Sequence, residues 1–193
     1  MLKNAMLAGL AMTALAGAMA VVSGTALNAQ TPAPAAATPA VLSTAGYLPR
    51  GGAPSSLALV PPPPEPGSAA QARDDAMAKT AVALHGSPRW DLATQDADLS
   101  FPNAAGTFSC AMGVRVSEAD TPRLYSLMRR TLADTGLSTY PTKTKYQRAR
   151  PFTVNGAPIC TPAIEAGLRK DGSYPSGHVA VGWGWALILA EVD

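Results

Sequence analysis

The chain has 193 residues, a formal net charge of +2 and an aromatic content of 6%. Its length allows one domain of ordinary size. Without a long basic run or interleaved aromatic residues it lacks the stacking, positively charged stripe of a nucleic-acid binder, so any attraction to anions must be local.

The N-terminus reads as a signal peptide over residues 1–29. Lys3 supplies a positive n-region, residues 5–22 form an apolar run broken only by Thr13 and glycines, and small residues follow, with cleavage expected after Ala26 or Ala29. The competing reading is an uncleaved anchor, since the run sits at the lower edge of the ~20 residues that a spanning helix needs. The small-residue exit and polar sequel favour cleavage. A periplasmic or secreted protein with no stable membrane insertion is therefore expected. Export implies an oxidising compartment. Cys110 and Cys160 are the only cysteines, and a disulfide between them, worth roughly 2–4 kcal/mol, is expected. Cys-x-x-Cys and Cys/His metal spacings are absent, so no zinc site is expected.

Residues 30–66 read as an Ala/Pro-rich tether followed by a proline strap. The stretch 30–40 is too poor in large apolar side chains to offset its ordering entropy. The run Pro61-Pro62-Pro63-Pro64 is extended and rigid and is expected to lie over the domain. The folded domain is placed at 67–193. Ser68 caps a helix expected over 69–85, with Gly86 as its stop, and a second is expected over 89–98. Residues 101–116 contain glycines and no clear period, and read as loop. Thr121-Pro122 opens a helix with a cap and a proline at the first position. Leu124, Leu127, Met128 and Leu132 give it a buried stripe, and Gly136 is its expected end. Thr161-Pro162 starts a short helix. The last helix begins at Ser176 and runs to Ala190; its apolar stretch 179–190 is too short to span a bilayer and reads as a core helix. No alternating strand pattern is present, so the expected fold class is all-α.

Two stretches carry chemistry. The first is Lys143-Thr-Lys-Tyr-Gln-Arg-Ala-Arg150-Pro151. Lys143 and Arg150 are seven residues apart, nearly two turns if the segment is helical. Pro151 disfavours helical geometry at Arg150, and an arginine at a rigid bend offers a planar fork of donors to phosphate oxygens. Taken alone, such a segment is more often a solvated face. The second stretch, Pro175-Ser176-Gly177-His178, leads directly into an apolar helix. Helix N-termini carry free N–H groups and partial positive charge, which favour anions. Ser176 can cap the helix and offer its hydroxyl, Gly177 allows close backbone approach, and His178 is placed to exchange a proton with a leaving-group oxygen. The alternative is an ordinary capped helix with an exposed histidine.

Together, Lys143-x6-Arg150-Pro151 and Pro175-Ser176-Gly177-His178 resemble the first two motifs of the type 2 phosphatidic acid phosphatase/vanadium haloperoxidase superfamily. The stretch from Asp171-Gly-Ser-Tyr-Pro-Ser-Gly-His178 through Gly182-Trp183 to Leu189-Ala-Glu191 is similar to its bacterial class A non-specific acid phosphatases. That resemblance implies a helical bundle, incomplete at the C-terminus, in an exported enzyme that hydrolyses phosphate monoesters through a phosphohistidine, with no cofactor or metal. Lys143, Arg150, Ser176 and the Gly177 N–H would hold phosphate oxygens, and His178 would protonate the departing alcohol. The family's third motif, Arg-x5-His-x3-Asp, supplies the attacking histidine; it is not found here, and His85 lies on the wrong side of both motifs to replace it. The chain is thus expected to be inactive alone, with Trp183, Trp185, Leu187, Ile188 and Leu189 facing absent helices. Two alternatives stand beside the phosphatase: a haloperoxidase holding vanadate in the same site, and a non-catalytic periplasmic anion-binding module. Phosphate monoesters are the expected partners, and the sequence leaves homo-oligomer formation open.

Overall fold

A computed structural model describes residues 45–49 and 51–192. The expected signal peptide and the tether as far as residue 44 lie outside the described residues. Among the described residues there are helices and turns and no strand, as the all-α expectation required.

Among the described residues nine α-helices run in chain order: α1 Ser56–Leu59, α2 Ala69–Val82, α3 Pro88–Asp96, α4 Asn103–Gly106, α5 Pro122–Ser138, α6 Tyr140–Tyr146, α7 Pro151–Asn155, α8 Glu165–Leu168 and α9 Gly177–Val192, with a 3₁₀ turn at Pro162–Ile164 before α8. The two long helices α5 and α9 form the central pair. From α5 come Tyr125, Met128 and Leu132, and from α9 Val181, Trp185 and Leu189; Ala104, Ala105 and Val116 complete the buried core. The spacing 125, 128, 132 is one face of a helix, so the stripe is rotated by about a residue from the expected one: Leu124 and Leu127 are only partly buried.

Close approach of α5 and α9 depends on Gly184, where an added Cβ would stand 2.8 Å from Thr135 Cγ2. Trp185 ties the pair further. Its indole N–H donates to the Met128 carbonyl at 3.0 Å, and its ring meets Phe101 and Phe108 edge-on at 6.0 and 5.8 Å. The expectation that Trp185 and Leu189 would face absent helices is therefore corrected, because both are buried against α5. The opposite face of α9 is exposed, with Val179 and Trp183 both 69% accessible and Leu187 55%.

Local chemistry explains most boundaries. Ser68 caps α2 by accepting from the Gln71 N–H, and Ser87 caps α3 by accepting from the Trp90 N–H. α2 ends at Val82 rather than His85, because Leu84 and His85 bond to carbonyls three residues back and leave the α ladder. α5 runs past Gly136 to Ser138: that glycine is buried inside the helix and ends nothing. Residues 101–116 are not all loop, since they hold α4 and pack Phe108 and Met112 against the core.

The segment preceding α2 is docked in several places. Asp134 accepts from the Tyr47 and Leu48 N–H groups, and the Arg130 guanidinium lies 3.7 Å over the Tyr47 ring. Ser56 is buried and accepts from the Thr142 hydroxyl. Beyond α1, the Pro61 carbonyl accepts from the Tyr174 hydroxyl at 2.9 Å. The expected disulfide is not formed: Cys110 and Cys160 are both free. Cys110 projects to solvent from the turns after α4, whereas Cys160 is half-buried beside α3, where its carbonyl accepts from Thr94. Being the only pair in the chain did not bring them together.

Candidate active site

Lys143 is carried by α6, which starts with Pro141 in its first turn and ends at Gln147 in the left-handed conformation, with φ 42°. That reversal frees the chain to run extended to Arg150, whose ψ of 142° is what the following proline favours. The segment after α8 then folds back on this stretch. The Ser173 N–H donates to the Arg148 carbonyl at 2.8 Å, and the Ser173 hydroxyl lies within reach of the Arg148 and Ala149 carbonyls. Gly172 is needed at the crossing, where an added Cβ would stand 3.1 Å from the Lys143 carbonyl.

This clamp fixes both cations. Lys143 is 5% exposed and donates to the Gly172 and Pro175 carbonyls at 2.9 and 3.0 Å. Arg150 donates through Nε to the Asp171 carbonyl, and through Nη2 to Asp171 Oδ2 at 3.2 Å. Asp171 Oδ2 also lies 3.9 Å from Lys143 Nζ. Burial pushes the Lys143 ammonium below the ordinary lysine range; Asp171 opposes this and Arg150 adds to it. Burial, reinforced by Asp171, pushes the Tyr140 hydroxyl upward.

Ser176 caps α9, accepting from the Val179 N–H at 3.3 Å through its side chain and from the Ala180 N–H through its carbonyl. Its hydroxyl proton remains available. Nothing lies closer to a Cβ built on Gly177 than Thr139 Oγ1 at 3.9 Å, so the space before its backbone is open. His178 is exposed, and its Nε2 lies 3.0 Å from the Ala97 carbonyl. A carbonyl only accepts, so Nε2 carries the proton in this contact.

Lys143, Arg150, Ser176, Gly177 and His178 all line one cavity of about 550 Å³, together with Tyr140 and Asp171. Residues from α6, from the bend before α7 and from the N-terminus of α9 thus converge on one space. His178 also borders a second cavity of about 650 Å³ beside Arg89, Asp96 and Trp185. That space contains none of the other four candidate residues. His85 borders neither cavity; its ring packs edge-on against Trp90 at 4.8 Å. Two contributors were not assigned roles from sequence: Asp171, which pairs with both cations, and Tyr140. Asp171 stands five residues before Ser176 in the second motif's own string, the signal that would have pointed to it.

Residues 125–192 match the model of the PAP2 superfamily. Curated relatives include a non-specific acid phosphatase of Providencia stuartii, 42% identical over 148 residues that cover 76% of this chain and 60% of the relative. An acid phosphatase of Zymomonas mobilis is 43% identical over 136 residues, 70% of this chain and 52% of the relative. A non-specific acid phosphatase of Salmonella typhimurium is 40% identical over 138 residues, 71% of this chain and 55% of the relative. The chain carries a PAP2 superfamily segment. It spans between half and 60% of the length of these curated relatives. All five candidate residues fall inside the matched PAP2 segment, as do Tyr140 and Asp171.

Proposed function

We propose that this chain carries the anion-binding part and the leaving-group acid of an exported acid phosphatase of broad substrate range, which hydrolyses phosphate monoesters through a phosphohistidine. The observation that carries this reading is the convergence of Lys143, Arg150, Ser176, Gly177 and His178 on one cavity. Preorganised donors aimed at phosphate oxygens stabilise the charge that develops in transfer. Arg150 would do so with Nη1, since Nε and Nη2 are held by Asp171, and Lys143 with its remaining N–H. Ser176 and the Gly177 N–H would add donors at a helix terminus that already favours anions. A histidine nitrogen would attack phosphorus as the bond to the ester oxygen breaks. His178 would give its proton to that oxygen, exchanging the Ala97 carbonyl for the substrate. Water would then cleave the phosphohistidine to release phosphate. The attacking histidine belongs to the third motif, which these 193 residues do not contain, and such transfer requires that nucleophile.

The test is hydrolysis of p-nitrophenyl phosphate by the purified chain, alone and extended with an Arg-x5-His-x3-Asp segment. The chain alone should show essentially no turnover, and the extended protein should be active. In the extended protein Arg150→Ala should slow every substrate by about 10²–10³, the effect of losing one such donor. His178→Ala should slow poor leaving groups most, because they need protonation. Robust Arg150-dependent hydrolysis by the 193-residue chain, with no phosphohistidine trapped, would overturn these roles. Export rests on the N-terminal pattern of Lys3 and the apolar run. N-terminal sequencing should find a mature protein starting near Gln30; an intact Met1 in a membrane fraction would refute it.

A further inference from the structure

His178 stands between two spaces. It lines the cavity that holds Lys143 and Arg150, and it lines the second cavity of about 650 Å³. Ala97, Asp98, Leu99 and Val181 also line both, so the two spaces share a wall. His178 Nε2 meets the carbonyl of Ala97, another residue of that wall, at 3.0 Å. The second cavity is of the size that small-molecule sites have, roughly 300–1,000 Å³. Much of its reachable lining is apolar: Ala93, Leu99 and Phe108 are partly exposed and Val179 is exposed. Its charged groups already have partners. Arg89 pairs with Asp96 at 4.0 Å, and Asp98 accepts from Ser100 and Asn103. The space therefore suits an uncharged group better than a second phosphate. Gly182 keeps one side of it open, since a Cβ built there meets nothing within 4 Å.

We propose that the second cavity is a leaving-group subsite: it takes the apolar, above all aryl, alcohol part of a phosphate monoester whose phosphate lies against Lys143 and Arg150. The inference rests on the phosphate site proposed above and adds to it the class of alcohol. The ester oxygen must meet the His178 proton, and that proton lies at the wall common to both spaces. Phosphorus is held on the side of the cations, and the carbon on the ester oxygen points away from phosphorus. The organic group is thereby directed past His178 into the second space. There an aryl ring leaves water for Leu99, Phe108 and Val179, a gain proportional to the apolar area covered. A methyl group is too short to collect it. A polyhydroxylated alcohol gains little, because this lining replaces few of its hydrogen bonds to water. The competing apolar surface, at Ile164, lines only the first cavity and has no part in the wall where the proton is given.

The experiment measures binding of 1-naphthyl phosphate and methyl phosphate to the full 193-residue chain by NMR titration. At about pH 8 both esters are dianions, since the second proton of a phosphate monoester leaves near pH ~6. With charge equal, the ratio of the two affinities reports the alcohol alone. The naphthyl ester should bind at least about tenfold more tightly, from the apolar area it covers. Nuclear Overhauser contacts from its ring protons should reach the Val179 methyls, which line only the second cavity, and not those of Ile164, which line only the first. Gly182→Leu fills the second cavity with a better helix former and should bring the affinity ratio close to one. The wild-type contacts need no variant, so a poorly folded Gly182→Leu leaves the test intact. Arg150→Ala should weaken both esters. Four results would overturn the subsite and leave the phosphate site standing, provided Arg150→Ala still weakens methyl phosphate. They are contacts to Ile164 in place of Val179, a wild-type ratio near one, a ratio unchanged in folded Gly182→Leu, and naphthyl contacts that survive Arg150→Ala. Methyl phosphate binding unaffected by Arg150→Ala, or no binding of either ester, would overturn both.

Discussion

Replacing Trp185 tests the packing that holds the start of α9 in place. Trp185 is 2% exposed, and it is the contact through which α9 bonds to the α5 backbone. Truncating a buried aromatic residue to alanine costs about 3–5 kcal/mol. The two edge-on ring contacts, each worth about 0.5–1.5 kcal/mol beyond their area, place Trp185→Ala toward the upper end. Trp185→Phe keeps an aromatic ring. It loses the indole hydrogen bond, about 0.5–1.5 kcal/mol, and part of the ring volume, about a further 1 kcal/mol, so a cost of about 2 kcal/mol is expected. Trp183 supplies an internal control. It lies two residues away on the same helix and is 69% exposed, so Trp183→Ala should change stability by no more than about 0.5 kcal/mol. Urea unfolding followed by far-ultraviolet circular dichroism gives the comparison, with a shift in midpoint at constant m reporting stability. Domain stabilities are about 5–15 kcal/mol, so Trp185→Ala should remove a third or more of the total. If Trp185→Ala and Trp183→Ala fall within about 1 kcal/mol of each other, the α5–α9 pairing described here is wrong.

Lys143 should make stability rise with pH: its folded value is pushed below the ordinary 10.5, so between the two values the unfolded chain binds more protons and alkaline pH favours the native state. Lys143→Met should remove that alkaline rise, seen as the wild-type-minus-variant difference, and should cost about 1–3 kcal/mol by leaving the Pro175 carbonyl without its donor. Asp98 behaves in the opposite sense. Hydrogen bonds from Ser100 and Asn103 hold it below its ordinary 3.8, so its contribution is present above that pH and fades as pH falls through the depressed value. Asp98→Asn should therefore destabilise more at pH 7 than at pH 2, measured by thermal unfolding. Thiol labelling of denatured, unreduced protein should find both Cys110 and Cys160 reactive; no labelling would restore the disulfide that the sequence suggested.

The sequence by itself determined the helical class, the caps at Ser68 and Ser176, and the two motifs whose residues line one cavity, because these are local matters. A serine before a helix, a proline after Arg150 and a glycine before His178 act within a few residues of chain. Tertiary structure decided what depends on partners distant in sequence. Gly136 reads as a stop, yet it lies inside α5 because burial among neighbouring elements outweighs the roughly 1 kcal/mol that a helical glycine costs. Trp183 and Trp185 read alike as apolar residues of one helix, but only the contact with α5 buries one and leaves the other in solvent. Cys110 and Cys160 form a pair by count, and the fold keeps them apart as free thiols. Asp171 could be seen in the sequence but not understood there. Only when the segment after α8 closed over Arg150 did its carboxylate meet two cations and leave one buried oxygen without a donor.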